Sequence, residues 1–464
     1  MGADFYSLSS LAGIKSRRLG IANMTLDEDR LPVGFPIPEW SEQVARYTRY
    51  WDFFTGEVLT GVKGFTAQKE PIYYFPLKVN IVFDYVIKHA AMLIGEELTE
   101  DHKPYISTTY TPRTFASGRE PTEEAKMLAT TLTNVVNTVW HESGGRTQQF
   151  EGAILSLFLG GTVYRIRWSP WLKNRTIPIS VSVLPPDYFF PVFRDDDYYR
   201  LSECYVAYRI PSRSIANDMP MSAMNTATYS IYIEHWTEDR YSIYIDGQPM
   251  RRDGVIYENL HNPFGEVPYV YIPNIRVGTP YGMSVVDLLD GITFEYNSAL
   301  KHQGDFIRRA LNLKRYGTDI RQTPSKLSLG DNLSIISLGS TLPPYNKEPK
   351  VWTEQPPDLP QGLAEYPEKV FSQAQKTGSV PDTAYGDLGG SQRSFLAVSQ
   401  SLFPMTSLAR ERRAYWNDGM DRIAYIISKM AQVKQSVIPY IDIDIPEISG
   451  TMCYCAKLEA DCSA

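Results

Sequence analysis

GEVPYVYIPNIRVGTPYGMSVVDLLDGITFEYNSALKHQGDFIRRALNLKRYG, residues Gly265 to Gly317, decides how the rest of the chain is read. A strand-like run ends at Pro273-Asn274, a Gly/Pro turn follows, and an amphipathic helix opens at Ser284. Val285, Leu289, Ile292, Tyr296, Leu300, Ile307 and Leu311 recur at steps of three and four, which lays one apolar stripe along a helix. Ser284 followed by Asp287 has the spacing of a capping box. A helix over 284–313 spans on the order of 45 Å, well beyond the usual three or four turns. Helices of that length pack lengthwise against something, often copies of themselves.

Working outward, the N-terminal half reads as helices and the middle as strands. Residues 1–38 form an irregular arm ending in PVGFPIP. Helical patterns cover 39–59, 77–98 (apolar nearly all round), 122–141 and 148–159. The period then changes to two over 162–168, 177–184, 204–210, 229–236 and 240–245, an antiparallel module in which Asp246-Gly247 supplies a hairpin turn. Beyond the long helix, 314–358 reads as short strands and turns, with runs at 328–338 and 350–353. A shorter helix returns over 359–376, where Pro367 marks a kink or the true start. A Gly-rich loop occupies 377–392. A second long helix covers 393–435, kinked at Pro404 by the missing N–H and the ring's clash with the preceding turn. A final strand is expected at 440–445 within the tail, 436–464. The class is α+β.

Composition narrows the function. The 464 residues carry a net charge of −7, which argues against tight DNA binding through a basic surface but not against a conduit through which DNA slides. The 31 Tyr, 19 Phe and 8 Trp fill sheet faces or mark protein contacts. No apolar run reaches membrane-spanning length, and the basic cluster of the first twenty residues follows the apolar part, the wrong order for a secretory signal. Cys204, Cys453, Cys455 and Cys462 lack the paired spacing of a zinc site and read as reduced thiols.

A search for chemistry returns little. Asp195, Asp196 and Asp197 resemble a metal cluster, but neighbours on a strand point to opposite faces, so a turn is the reading. His141-Glu142 lacks the second histidine of a zinc-protease helix, Gly386 to Gly390 has no following Lys-Ser/Thr, and no G-x-S-x-G elbow occurs. No catalytic residue, metal or cofactor is assigned, and the balance shifts from enzyme to scaffold.

The order of parts resembles the portal, or head-to-tail connector, proteins of tailed bacteriophages, in particular the SPP1-type branch. The likeness rests on Asn262-Pro-Phe-Gly-Glu-Val-Pro268, then Asn274, then Gly282-Met-Ser284 opening a helix that contains Asn297. It rests also on Thr377-Gly-Ser-Val-Pro381 leading through a Gly-rich loop to Ser391-Gln-Arg-Ser394. The resemblance implies a non-enzymatic ring, commonly of about twelve copies, at one capsid vertex of the virion, assembled in the host cytoplasm. Double-stranded DNA would pass through it during packaging and ejection without sequence specificity. Terminase, head-tail adaptor, tail, capsid and scaffold proteins would be its partners, with no membrane involved. By that analogy 39–283 is a wing, with helices over 39–160 and a sheet module over 161–272. Residues 284–313 and 359–376 are stem helices, 314–358 a clip, 377–392 a tunnel loop and 393–435 the helix behind it. A crown after the last strand is reduced or absent.

The resemblance points to Lys376, Tyr385, Gln392 and Arg393, with Arg308 and Arg309 on the first stem helix, as channel residues; a solvated face and a loop without DNA contact are the alternatives. Val285, Leu289, Ile292, Tyr296, Leu300 and Ile307 are the implied contacts between copies. Two other readings stay open: another ring-forming capsid or tail component, and a metal-dependent nuclease built on the Asp195–Asp197 run.

Overall fold

The computed structural model describes residues 35, 37–65, 71–73, 75, 77–94, 106–110, 123–170, 175–194, 200–211, 229–252, 254–311, 315–318, 335–337, 350–353, 361–386, 395–434 and 454–458. In chain order these form helix α1 (Ile37–Phe54), strands β1 (Val62–Phe65) and β2 (Pro71–Tyr73), and helix α2 (Ile81–Ile94). Strand β3 (Ile106–Tyr110) leads to helices α3 (Glu123–Glu142) and α4 (Arg146–Leu159). Strands β4 (Gly161–Trp168), β5 (Ile179–Leu184), β6 (Phe189–Phe193), β7 (Leu201–Pro211), β8 (Tyr229–Thr237) and β9 (Arg240–Ile245) follow. Short strands β10 (Gln248–Pro249), β11 (Arg251–Arg252), β12 (Val255–Ile256) and β13 (Leu260–His261) precede β14 (Tyr269–Pro273). Helix α5 (Val286–Leu311) runs into β15 (Arg315–Thr318), β16 (Ile335–Ser337) and β17 (Lys350–Thr353). Helices α6 (Gln361–Gly378), α7 (Phe395–Ser401) and α8 (Phe403–Val433) and strand β18 (Tyr454–Leu458) complete the α+β chain.

Two compact units share these elements. The larger comprises 1–55, 82–288 and 378–464, the smaller 56–81 and 289–377. In the larger unit β4 lies between β14 and β5 in one antiparallel sheet, and a second sheet runs β10-β9-β8-β7-β6 with β13 on β9. Alternation along β4 explains its central place. Tyr164 turns to Trp140 and Trp416, with ring centroids 5.6 and 6.1 Å away, both edge-on. Val163, one residue earlier, joins Phe189, Cys204, Val206 and Tyr269 in the core shared with the second sheet. The turn between β9 and β10 is the expected one: Asp246 at φ 47° and Gly247 at φ 79°, the left-handed pair that matches strand twist. The Asp246 carboxylate accepts the Ile231 N–H at 2.9 Å and so ties the turn to β8.

Helix α8 packs on β4, β14 and the pair β3–β18. Trp416 is 1% exposed, and the lack of a side chain at Gly419 lets Ile272 of β14 press against the helix backbone. The expected helix over 393–435, kinked at Pro404, is present as two helices with a one-residue interruption at Leu402, which keeps helical backbone and still donates to the Val398 carbonyl at 3.1 Å. Pro404 sits in the first turn of α8, just after that interruption, where its absent N–H costs little. Pro367, by contrast, lies inside α6, which begins at Gln361. Helix α2 is less uniformly buried than its sequence implies, since Phe83 is exposed and leans on Phe54 at 5.3 Å. The expected strand at 440–445 and the arm at 1–34 lie outside the described residues. The tail does contribute a strand, β18, paired antiparallel with β3.

In the smaller unit β1 and β2 form a hairpin, and β15 pairs parallel with β16 and antiparallel with β17. Helix α5 spans 26 residues, about 39 Å. Tyr296 of α5 rests against Phe371 of α6 at 5.6 Å, and Tyr366 donates to Glu295 at 2.9 Å. No helix among the described residues is long and apolar enough to cross a membrane.

Candidate functional site

Four polar residues on which the resemblance rests are buried and hold backbone. Asn262 donates to the carbonyls of Thr237 and Glu266 at 3.1 and 2.9 Å. Asn274 donates to the Met283 carbonyl at 2.8 Å, closing the Gly/Pro turn on itself. Within that turn Gly282 passes so close to Gly160 that a side chain would collide with the Gly160 carbonyl. Ser284 donates to the Phe158 carbonyl at 2.6 Å and accepts the Val286 N–H at 3.0 Å, which starts α5. In the smaller unit Asn297, wholly buried, accepts the Val79 N–H and donates to the Val79 carbonyl, both at 2.9 Å. Asp287 does not complete a capping box: it accepts a hydrogen bond from Tyr50 at 2.6 Å.

A second polar network holds the root of the Gly-rich loop. Arg412 of α8, 3% exposed, donates from Nε to the Asn274 side-chain oxygen and from Nη1 to His89 Nδ1, each at 2.9 Å. A guanidinium can only donate. His89 Nδ1 is therefore an acceptor, the proton sits on Nε2, and Nε2–H donates to the Gly378 carbonyl at 3.1 Å. Burial, then the Arg412 charge, push the His89 pKa down from 6.5 to about 3, against a smaller upward pull from the Gly378 bond. His89 is thus neutral at physiological pH. Burial likewise lowers Arg412, to about 10. Gly378 lies flat on Tyr85, where a methyl group would enter the ring.

The loop continues from this root into a 3-10 turn over Asp382–Tyr385. The Tyr385 ring lies 3.2 Å from Lys88 Nζ, a cation–π contact, and Lys88 pairs with Asp84 at 2.8 Å. Burial and the Asp84 charge raise the Tyr385 pKa, so its hydroxyl stays neutral. Thr383 accepts a hydrogen bond from Ser401 of α7 at 2.9 Å. The loop therefore leaves a rigid base made of α2, α7 and α8.

The residues singled out by sequence separate into groups. Tyr385 is engaged at this base rather than extended from it. Lys376 is exposed in the last turn of α6, where a cation complements the helix dipole. Arg308 is exposed and pairs loosely with Asp305 at 3.5 Å. Gln392, Arg393 and the side chain of Arg309 lie outside the described residues, as do Asp195, Asp196 and Asp197. Of the six expected contacts between copies, Val285 and Leu289 are 1% and 0% exposed inside their own chain and have no surface to offer. Ile292, Tyr296 and Leu300 are partly covered. Ile307, at 47%, is exposed, and so are Leu288 and Phe294, which the stripe did not single out. His89 and Arg412 were missed. A lone histidine on an apolar helix and one arginine among several on another give no signal of their pairing.

Among the described residues no group of three or more His, Cys, Asp or Glu is placed to hold a metal ion. No family model matches the chain, and no curated protein matches it.

Proposed function

We propose that the chain is one subunit of a portal ring that admits double-stranded DNA at a capsid vertex. The observation that carries the proposal is the order of elements from Val286 to Val433. A 26-residue helix leads to a three-stranded sheet, an 18-residue helix, a pinned loop root and a 31-residue helix. This is the stem, clip, stem, tunnel-loop and long-helix order that the resemblance implies. In this reading 39–283 is the wing, α5 and α6 are the stem helices, β15–β17 belong to the clip that docks terminase and adaptor proteins, and 377–392 faces the channel.

The rigid base of that loop supports the reading in a second way. A loop that meets passing DNA needs an anchor that does not yield, and Gly378, Thr383 and Tyr385 are each tied down by a separate side chain. Contacts made by Lys376, Gln392 and Arg393 would be to backbone phosphates and hence independent of sequence. A heterologous interface repeated around an axis closes into a ring, and the exposed Leu288, Phe294 and Ile307 are the apolar residues of α5 left for it.

Electron microscopy of the purified chain with its mass in solution tests the proposal. A closed ring of about twelve copies with an axial hole wide enough for duplex DNA is expected. A monomer, or a ring with no axial channel, overturns it.

A further inference from the structure

We propose that a cleft in the larger unit, walled by β4, β8, β9 and the end of α8, binds a small aromatic anion of mononucleotide size. The proposal stands apart from ring formation. The cleft has a volume of about 380 Å³, within the range of small-molecule sites. Its floor is Glu234 of β8, 1% exposed. That carboxylate is saturated. It pairs with Arg167 and accepts from Tyr232 at 3.0 Å, Trp236 Nε1 at 3.0 Å and Tyr269 at 2.6 Å. Burial alone would raise its pKa, yet Arg167, Arg165 and these donors hold it down at about 2.

Four cations line the cleft, Arg165, Arg167, Arg252 and Lys434, against this one carboxylate. Arg165 is the informative one. It stands two residues from Arg167 on the same face of β4, its Nε donates to a neutral hydroxyl, Ser182 Oγ, at 3.3 Å, and the acceptor sites of Glu234 are already taken. Arg165 also bonds the Tyr208 hydroxyl, and Tyr269 and Glu234 favour its charge despite burial; what suits an anion is the net positive lining, four cations set against one carboxylate.

The aromatic pair beside Glu234 selects what carries the negative charge. Trp236 and Tyr241 lie nearly parallel, with centroids 4.5 Å apart and planes at 11°. Both line the cleft and are partly exposed. A planar ring can extend this stack while its anionic group reaches Arg165, an arrangement that also favours bases on aromatic side chains. Duplex DNA is too wide for a cleft of this volume, and inorganic phosphate would leave the aromatic wall unused.

The test is titration of the full chain with adenosine monophosphate, adenosine, inorganic phosphate and a short poly-glutamate peptide. Tryptophan fluorescence and calorimetry are the readouts. Saturable binding of the monophosphate, one per chain, is expected, with adenosine and phosphate each weaker by about tenfold or more. Lys434→Glu should weaken it by about tenfold without changing the thermal melt. Arg165→Gln should weaken it by about tenfold in a chain that still folds, with a lower melt because Arg165 also helps hold Glu234 ionised. Arg308→Gln should leave it unchanged. Absence of saturable binding at millimolar ligand by a folded chain overturns the proposal. So does monophosphate binding that both Lys434→Glu and Arg165→Gln leave intact. Equal or tighter binding of the peptide also overturns it, and points to an acidic protein segment instead.

Discussion

Acidification from pH 6.5 to pH 5 should weaken the larger unit through His89. Its Nδ1 faces the Arg412 guanidinium and its Nε2–H is committed to Gly378. A second proton would put donor against donor and cation against cation at 2.9 Å, too close for water between them, with the Tyr85 ring packed on the imidazole at 4.3 Å. The folded pKa is about 3 against 6.5 for a free histidine. Between those values the unfolded chain carries one more proton than the folded chain, so stability falls as pH falls. The slope rises from half of about 1.36 kcal/mol per pH unit at pH 6.5 to that full value near pH 5, about 1.7 kcal/mol over the interval. Glu234 loses its contribution from about 4.5 down to about 2 and stays out of this window. The assay is urea denaturation at half-unit steps from pH 7 to pH 5, for the parent chain and His89→Gln, whose amide can offer both the acceptor and the donor. The variant should show a slope shallower by about 1.36 kcal/mol per unit near pH 5. Amide protection over 378–386, taken relative to the intrinsic exchange rate at each pH, should fall on acidification in the parent and less so in the variant. Parallel slopes would refute the tautomer and the burial argument together.

Three further outcomes follow from particular contacts. Gly378→Ala should destabilise by about 1–3 kcal/mol, because the new methyl meets the Tyr85 ring, and the penalty should shrink in a Tyr85→Ala background, as denaturation of the double-mutant cycle would show. Asn297→Leu should cost about 2–3 kcal/mol by orphaning the buried Val79 N–H and carbonyl; a loss below about 0.5 kcal/mol would mean that those groups find other partners. Ile307→Asp should leave the melting temperature of the isolated chain unchanged, since the side chain is exposed, while reducing the mass of any assembly measured by light scattering.

The elements that short-range sterics control were legible before any coordinates. The 3.6-residue stripe from Val285, the alternation over 162–168 and 240–245, and the Asp246-Gly247 turn each follow from backbone geometry within a few residues, and each was found within a few residues of its expected place. Asn262, Asn274 and Asn297 drew notice through the resemblance, and Ser284 also as a helix start, although the partners of all four were not legible. Pro404 shows the limit: its missing N–H requires a disruption, but whether the chain bends or restarts depends on what receives α7 and α8.

Sequence by itself therefore determined the α+β class, the run of helices and strands, and the presence of an apolar stripe on α5. Tertiary structure alone decided what covers that stripe, and it assigned Val285 and Leu289 to the chain's own interior. It also joined His89 to Arg412 across 323 positions, Glu234 to Arg167 across 67, and β3 to β18. Periodicity is a property of neighbouring residues and reports that a face is apolar or a residue polar. The partner of that face or residue is chosen by closure of the fold, which brings together groups with no spacing in common.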